Sequence, residues 1–171
     1  MKDNPQIIQT PISGNAIESL RVGDMILLSG YIYTGRDAVL PKLKELFETG
    51  TLEENGIDLQ GSVIFHTAVS PAGVGPTSSN KLEIEGNIPI LSKAGVKLHL
   101  GKGALKPETV AELNRYGSAY AVIPPVTALL ESKTLNRKVV AFPELGMEAL
   151  HSIEVVEYPV IIAAVNGETI Y

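Results

Sequence analysis

The chain has 171 residues, 44% of them hydrophobic, enough to bury roughly 70% of its unfolded surface in one self-sufficient core, so a single domain over residues 1–171 is expected. Its 14 Lys and Arg against 19 Asp and Glu give a net charge of -5, interspersed without basic blocks, which argues against nucleic acid as a partner. Cysteine is absent, excluding disulfides, thiol nucleophiles, Cys-ligated zinc and an iron-sulfur cluster held by this chain alone. The opening Met1 to Gln6 lacks the apolar stretch of a secretory signal. The longest apolar run, Tyr158 to Val165, is far below the ~20 residues that cross a bilayer. A cytoplasmic protein without a membrane segment is expected. His66, His99 and His151 are too dispersed for a local ligand pair, so no metal bound by this chain alone is expected.

Alternating apolar runs and amphipathic stretches predict an α/β protein. In chain order, strands are expected over Gln6 to Ile12 and Met25 to Tyr33, followed by a helix from near Asp37 to Glu48. In that helix Val39, Leu40, Leu43, Leu46 and Phe47 share a face, and Gly50 supplies the stop. A strand over Ser62 to Val69 leads to a helix over Ser78 to Ala94, interrupted at Gly86 and Pro89. Val96 to Leu100 is the next strand. Pro107 opens a helix that ends at Tyr116 with Gly117 in a left-handed conformation. Then come a strand over Ala119 to Ile123, a short helix over Pro124 to Ser132, and strands over Lys138 to Ala141 and Ile153 to Ala164, the last bending at Pro159. Ser13 to Ser19 and Gly50 to Gly61 read as surface connections.

Three loops placed just after likely strands carry the chemistry. Gly75-Pro76-Thr77-Ser78-Ser79-Asn80-Lys81 sets hydroxyls and free amides at a helix start, where an anion or a simple N-cap could use them. Gly35-Arg36-Asp37 offers a guanidinium that would grip a carboxylate through two parallel bonds, or pair with Asp37 or another nearby acid. Gly101-Lys102-Gly103 holds a cation between two glycines that permit close backbone approach, the alternative being a solvated loop lysine. On one edge of an α/β sheet the three would surround a small carboxylate. As histidines, His66 and His99 could titrate near neutral pH and act as acid or base, but a hydrogen-bonded structural role is the expectation for each. The charge of His151 could simply complement a helix end.

Gly30 to Asp37, Gly75 to Glu83, Gly95 to Gly103, Gly117 to Leu129 and Phe142-Pro143-Glu144-Leu145-Gly146-Met147-Glu148-Ala149, taken in that order, resemble the β subunit, or C-terminal half, of the iron-sulfur (class I) fumarate hydratases and the related L(+)-tartrate dehydratases. The resemblance implies a three-layer β/β/α swivelling domain with a mixed sheet. The resemblance further implies that this domain forms one wall of a dicarboxylate site whose other wall belongs to an α subunit or N-terminal domain carrying the cysteines and a 4Fe-4S cluster, with a heterotetramer of two α and two β expected. By motif, the resemblance gives Thr77 proton transfer at carbon and makes Arg36, Ser78, Lys81 and Lys102 substrate-binding. Lys81 stands where the family has arginine, a point charge in place of a planar fork. The implied activity is reversible hydration of fumarate to malate. A tartrate or mesaconate-type dehydratase, and a non-catalytic anion-binding or assembly domain of the same fold, are the alternatives.

Overall fold

A computed structural model describes residues 5–70, 73–74, 84–123 and 132–171. It is mixed α/β. The strands are β1 (Gln6–Gln9), β2 (Met25–Thr34), β3 (Val63–Phe65), β4 (Val69–Ser70), β5 (Gly73–Val74), β6 (Leu98–Gly101), β7 (Ala119–Val122), β8 (Thr134–Ala141), β9 (Leu150–Val165) and β10 (Glu168–Thr169). The helices are α1 (Gly14–Glu18), α2 (Leu40–Glu48), α3 (Ile88–Lys93) and α4 (Pro107–Arg115), with tight 3-10 turns at Glu53–Asn55 and Pro143–Glu148. No helix among the described residues is long and apolar enough to cross a membrane.

Eight strands form one mixed sheet, while β4 and β5 make a separate two-stranded hairpin. β1, β2, β3, β6 and β7 run parallel in that order. β9 is antiparallel and 16 residues long, long enough to pair with β2 from His151 to Ile161 and with β7 from Ile161 to Ala164. The pairings therefore close on themselves through β2, β3, β6, β7 and β9. One face of each of these strands feeds a common apolar cluster that includes Leu28, Phe65, Leu100, Ala121, Val155 and Tyr158. On the outer face, α2 and α3 pack Leu40, Leu43 and Leu91 with Ile64 and Leu150, and α4 packs Val110 and Leu113 against Tyr120 and Ala163. Each fully buried Leu or Ile of this kind contributes roughly 1.5 to 3 kcal/mol.

Several elements differ from expectation. Ser13 to Ser19 is no plain connection: Ser13 accepts from the Ala16 amide and caps the five-residue α1, which buries Ile17. The loop Gly50 to Gly61 contains a 3-10 turn and buries Ile57 and Leu59. α2 starts at Leu40, not Asp37, because the Arg36 carbonyl accepts from both Val39 and Leu40 and residues 37–39 form a turn. The strand expected over Ser62 to Val69 stops at Phe65, where the Thr67 amide donates back to the Phe65 carbonyl at 2.8 Å in a three-residue turn. β1 ends at Gln9, three residues short of Ile12, and β6 starts at Leu98, not Val96, and includes Gly101. β8 starts four residues before Lys138.

β9 does not break at Pro159, which stays in register opposite Leu27. The distortion lies at the register shift beyond Leu28, where Glu157 takes a positive φ of 49° and donates its amide to the Ser29 hydroxyl at 2.9 Å. Of the helix expected over Ser78 to Ala94, residues 78–83 lie outside the described residues, while residues 84–85 and α3 are helical, with the turn at Gly86 between them and Pro89 in the first turn of α3. His151 belongs to no helix end; it lies buried in β9, with Nδ1 3.0 Å from the Ala149 carbonyl. Residues 124–131 of the short helix expected before β8 lie outside the described residues. α2 and α4 do end as their glycines imply, Gly50 at φ 69° and Gly117 at φ 66°.

Candidate functional site

The parallel register decides where the predicted loops emerge. Thr34, Phe65, Leu100 and Ala121 are neighbours in one row across β2, β3, β6 and β7. Arg36 lies two residues beyond Thr34 and Lys102 two residues beyond Leu100, so both leave the same edge at the same height. Adjacent strands are ~4.8 Å apart, which puts the two exits about 10 Å from each other with β3 between them. The edge stays ordered past the strands, since the Gly35 amide donates to the Phe65 carbonyl and the His66 amide to the Leu100 carbonyl, both at 2.9 Å. Thr77, Ser78 and Lys81 lie outside the described residues. The flanks of their run are described: Val74 packs against the interior cluster, and Ile84 packs with Leu40 and Leu91.

Arg36 is engaged. Its Nε donates to Glu148 Oε1 at 2.6 Å, and Nη2 donates to the same oxygen. The pairing is with Glu148, not with Asp37. It follows from topology, because β9 starts opposite the end of β2, with Thr34 facing His151, and the turn Pro143–Glu148 delivers the carboxylate just before that start. The hydrogen bond to Glu148 raises the guanidinium pKa above its ordinary value. The second oxygen, Oε2, is buried without a hydrogen-bond partner among the described residues. Nothing in the local sequence singles out Glu148 beyond its place in the Pro143-Glu144-Leu145-Gly146-Met147-Glu148 stretch.

Lys102 is exposed. Beside it His66, Ile84, Glu85 and Tyr120 line part of a narrow cleft with room for about one water, about 10 Å³. Gly101 has a steric reason to be glycine, since a Cβ there would come within 2.9 Å of both His66 Nδ1 and the Tyr120 hydroxyl. Glu85 is buried and accepts from the Lys106 amide at 2.8 Å and the Thr109 hydroxyl at 2.6 Å, closing the amino end of α4.

His66 is buried and its Nε2 has no hydrogen-bond partner among the described residues; burial lowers its pKa to about 4. His99 Nε2 sits 2.8 Å from the Ser92 hydroxyl, and burial, with a lesser push from His66, keeps its pKa well below the usual histidine range. Both imidazoles are therefore neutral at neutral pH. The described residues contain no group of three or more His, Asp or Glu able to hold a metal, and the sequence has no cysteine, so the residues of this chain do not fit an iron-sulfur cluster.

The arrangement thus offers two cations at one level of a sheet edge, one of them oriented by a carboxylate. A model of the family described as Fumarase C-terminus matches residues 4–171. The chain belongs to the Fumarase C-terminus family. Within it, the chain is 30% identical over 172 aligned positions to the L(+)-tartrate dehydratase subunit beta of Escherichia coli strain K12, covering 94% of this chain and 83% of that one. It is also 30% identical to a Methanocaldococcus jannaschii protein provisionally named L(+)-tartrate dehydratase subunit beta, over 91% of this chain and 85% of the other. A Geobacillus stearothermophilus protein provisionally named fumarate hydratase class I is 31% identical over 66% of this chain, which corresponds to 22% of its own length. These named relatives of the Fumarase C-terminus chain are hydro-lyases.

Proposed function

We propose that this chain is the β subunit of an iron-sulfur hydro-lyase of the cytoplasm, interconverting fumarate and malate by reversible hydration. The observation that carries the reading is the shared height of Arg36 and Lys102 on the carboxyl edge of the parallel strands, in a chain of the Fumarase C-terminus family. The strand order supports a three-layer swivelling architecture in which this edge forms one wall of a dicarboxylate pocket. An α subunit forms the other wall, in a heterotetramer of two α and two β, and holds the 4Fe-4S cluster that this chain has no cysteine to hold.

Arg36 and Lys102 bind the carboxylates of the dicarboxylate. Ser78 and Lys81 complete the grip, and Thr77 transfers the proton at carbon. Hydration and its reversal place negative charge beside a carboxylate, and fixed cations lower that barrier because they are oriented before the charge develops. A threonine hydroxyl is a weak base, so the neighbouring cations also favour its deprotonated form.

A specific observation favours L(+)-tartrate as the second reading: the Escherichia coli and Methanocaldococcus jannaschii relatives, which match nearly the whole chain, are named for tartrate, and Lys81 replaces the arginine expected by motif. The test is a coupled assay of the chain purified with its cluster-bearing partner, against fumarate, L(+)-tartrate and mesaconate. Turnover of fumarate by the complex, with none by the isolated chain, is expected. A complex that turns over none of the three favours a non-catalytic anion-binding or assembly domain, and turnover by the isolated chain removes the shared site.

A further inference from the structure

Arg36 and Glu148 are 112 positions apart in sequence, and each limits the other. The guanidinium has five N–H donors in a rigid planar fork. Glu148 takes one side of it, Nε and Nη2, through the single oxygen Oε1. No described residue accepts a hydrogen bond from Nη1. The pair is only partly covered, with the Arg36 side chain 28% exposed and that of Glu148 25%. The Arg36 backbone is pinned as well, its carbonyl accepting from Val39 and Leu40 at the entry to α2. An arginine fixed at its carbonyl and along one side of its head group has one orientation left to offer.

We propose that Glu148 is a positioning residue for the carboxylate site: it fixes the Nε side of Arg36 so that the Nη1 end of the fork is set in advance for a ligand carboxylate. The inference rests on the function proposed above. Two other roles are physically distinct. A plug would have Glu148 compete with the ligand for Arg36, and removing it would strengthen binding. A purely structural tie between the turn Pro143–Glu148 and β2 would act whether or not Arg36 were present.

The experiment is a double-mutant cycle in the complex with the partner subunit, using Arg36→Ala, Glu148→Ala and both together, with the best of the three dicarboxylates as substrate. Glu148→Ala is expected to lower kcat/KM about tenfold, chiefly through KM, and to have less than about a twofold effect once Arg36 is alanine. Glu148→Gln keeps an oxygen acceptor of the same reach and is expected to recover most of the loss; it also carries the test if the alanine variant fails to assemble, with KM then raised about threefold over wild type. An equal loss in both backgrounds, or a lower KM in Glu148→Ala, overturns the inference.

If the wild-type complex is inactive on all three substrates, the proposed function fails, and the clamp is judged by the Arg36 Nε proton in nitrogen-edited NMR of the full chain at pH 7. A discrete, slowly exchanging resonance that persists in Glu148→Gln and disappears in Glu148→Ala supports the clamp. A resonance unchanged in both overturns it.

Discussion

His66 is a buried titratable residue beside the candidate edge. It follows β3 directly, is 3% exposed, and has a ring nitrogen without a hydrogen-bond partner among the described residues. Burial lowers its pKa from the ordinary 6.5 to about 4. Between those values the unfolded chain binds a proton that the folded chain refuses, so stability rises with pH across the window and is lost as pH falls through it. At about 1.4 kcal/mol per unit, full passage through the window costs roughly 3 kcal/mol. Buried His99 acts in the same direction. Urea unfolding of wild type is therefore expected to shift to lower midpoints between pH 7 and pH 5, and His66→Gln is expected to show a distinctly shallower dependence. Parallel slopes for the two proteins would show that His66 does not couple folding to protonation.

At the scale of elements, β9 organises the molecule because it is long enough to pair with both β2 and β7. Alternation along it changes phase between Val155 and Tyr158, both of which reach the interior cluster, and only a bulge allows this. The bulge is held by the Ser29 hydroxyl, which accepts from the Glu157 amide, and Glu157 adopts a left-handed φ that is uncommon for a non-glycine residue. Ser29→Ala leaves that amide without its partner and is expected to cost about 1 to 2 kcal/mol in urea unfolding. A midpoint equal to wild type would mean that the bulge is held by strand pairing alone.

The elements legible in the sequence were those with local punctuation. α2 and α4 carry a proline near the start, a one-sided apolar face and a glycine stop, and all three signals act within a dozen residues. α1 was missed because five residues give too few repeats for an apolar face to register, and its one clear cue, Ser13, is equally at home in a turn. The missing N–H of Pro159 points to a bend there, whereas the distortion in β9 is a phase change imposed by a partner strand more than 100 residues earlier. The pairing of Arg36 with Glu148 was out of reach for the same reason: local sequence offered Asp37 as the nearest acid, and only the antiparallel meeting of β2 and β9 brings the other carboxylate in.

For the whole molecule, the consequence of the fold is that two strands separated by one neighbour carry Arg36 and Lys102 to a single level. Strand-then-loop spacing made that edge legible in advance, because every parallel strand delivers its following loop to the same side. The most direct measurement is kcat/KM for fumarate in the purified complex carrying Lys102→Ala, with the melting temperature of the variant taken alongside. Lys102 is exposed, so melting should be unchanged while kcat/KM falls about 10²-fold, the scale on which removal of one preorganised charge-stabilising group acts. A Lys102→Ala complex with wild-type kcat/KM would contradict the account.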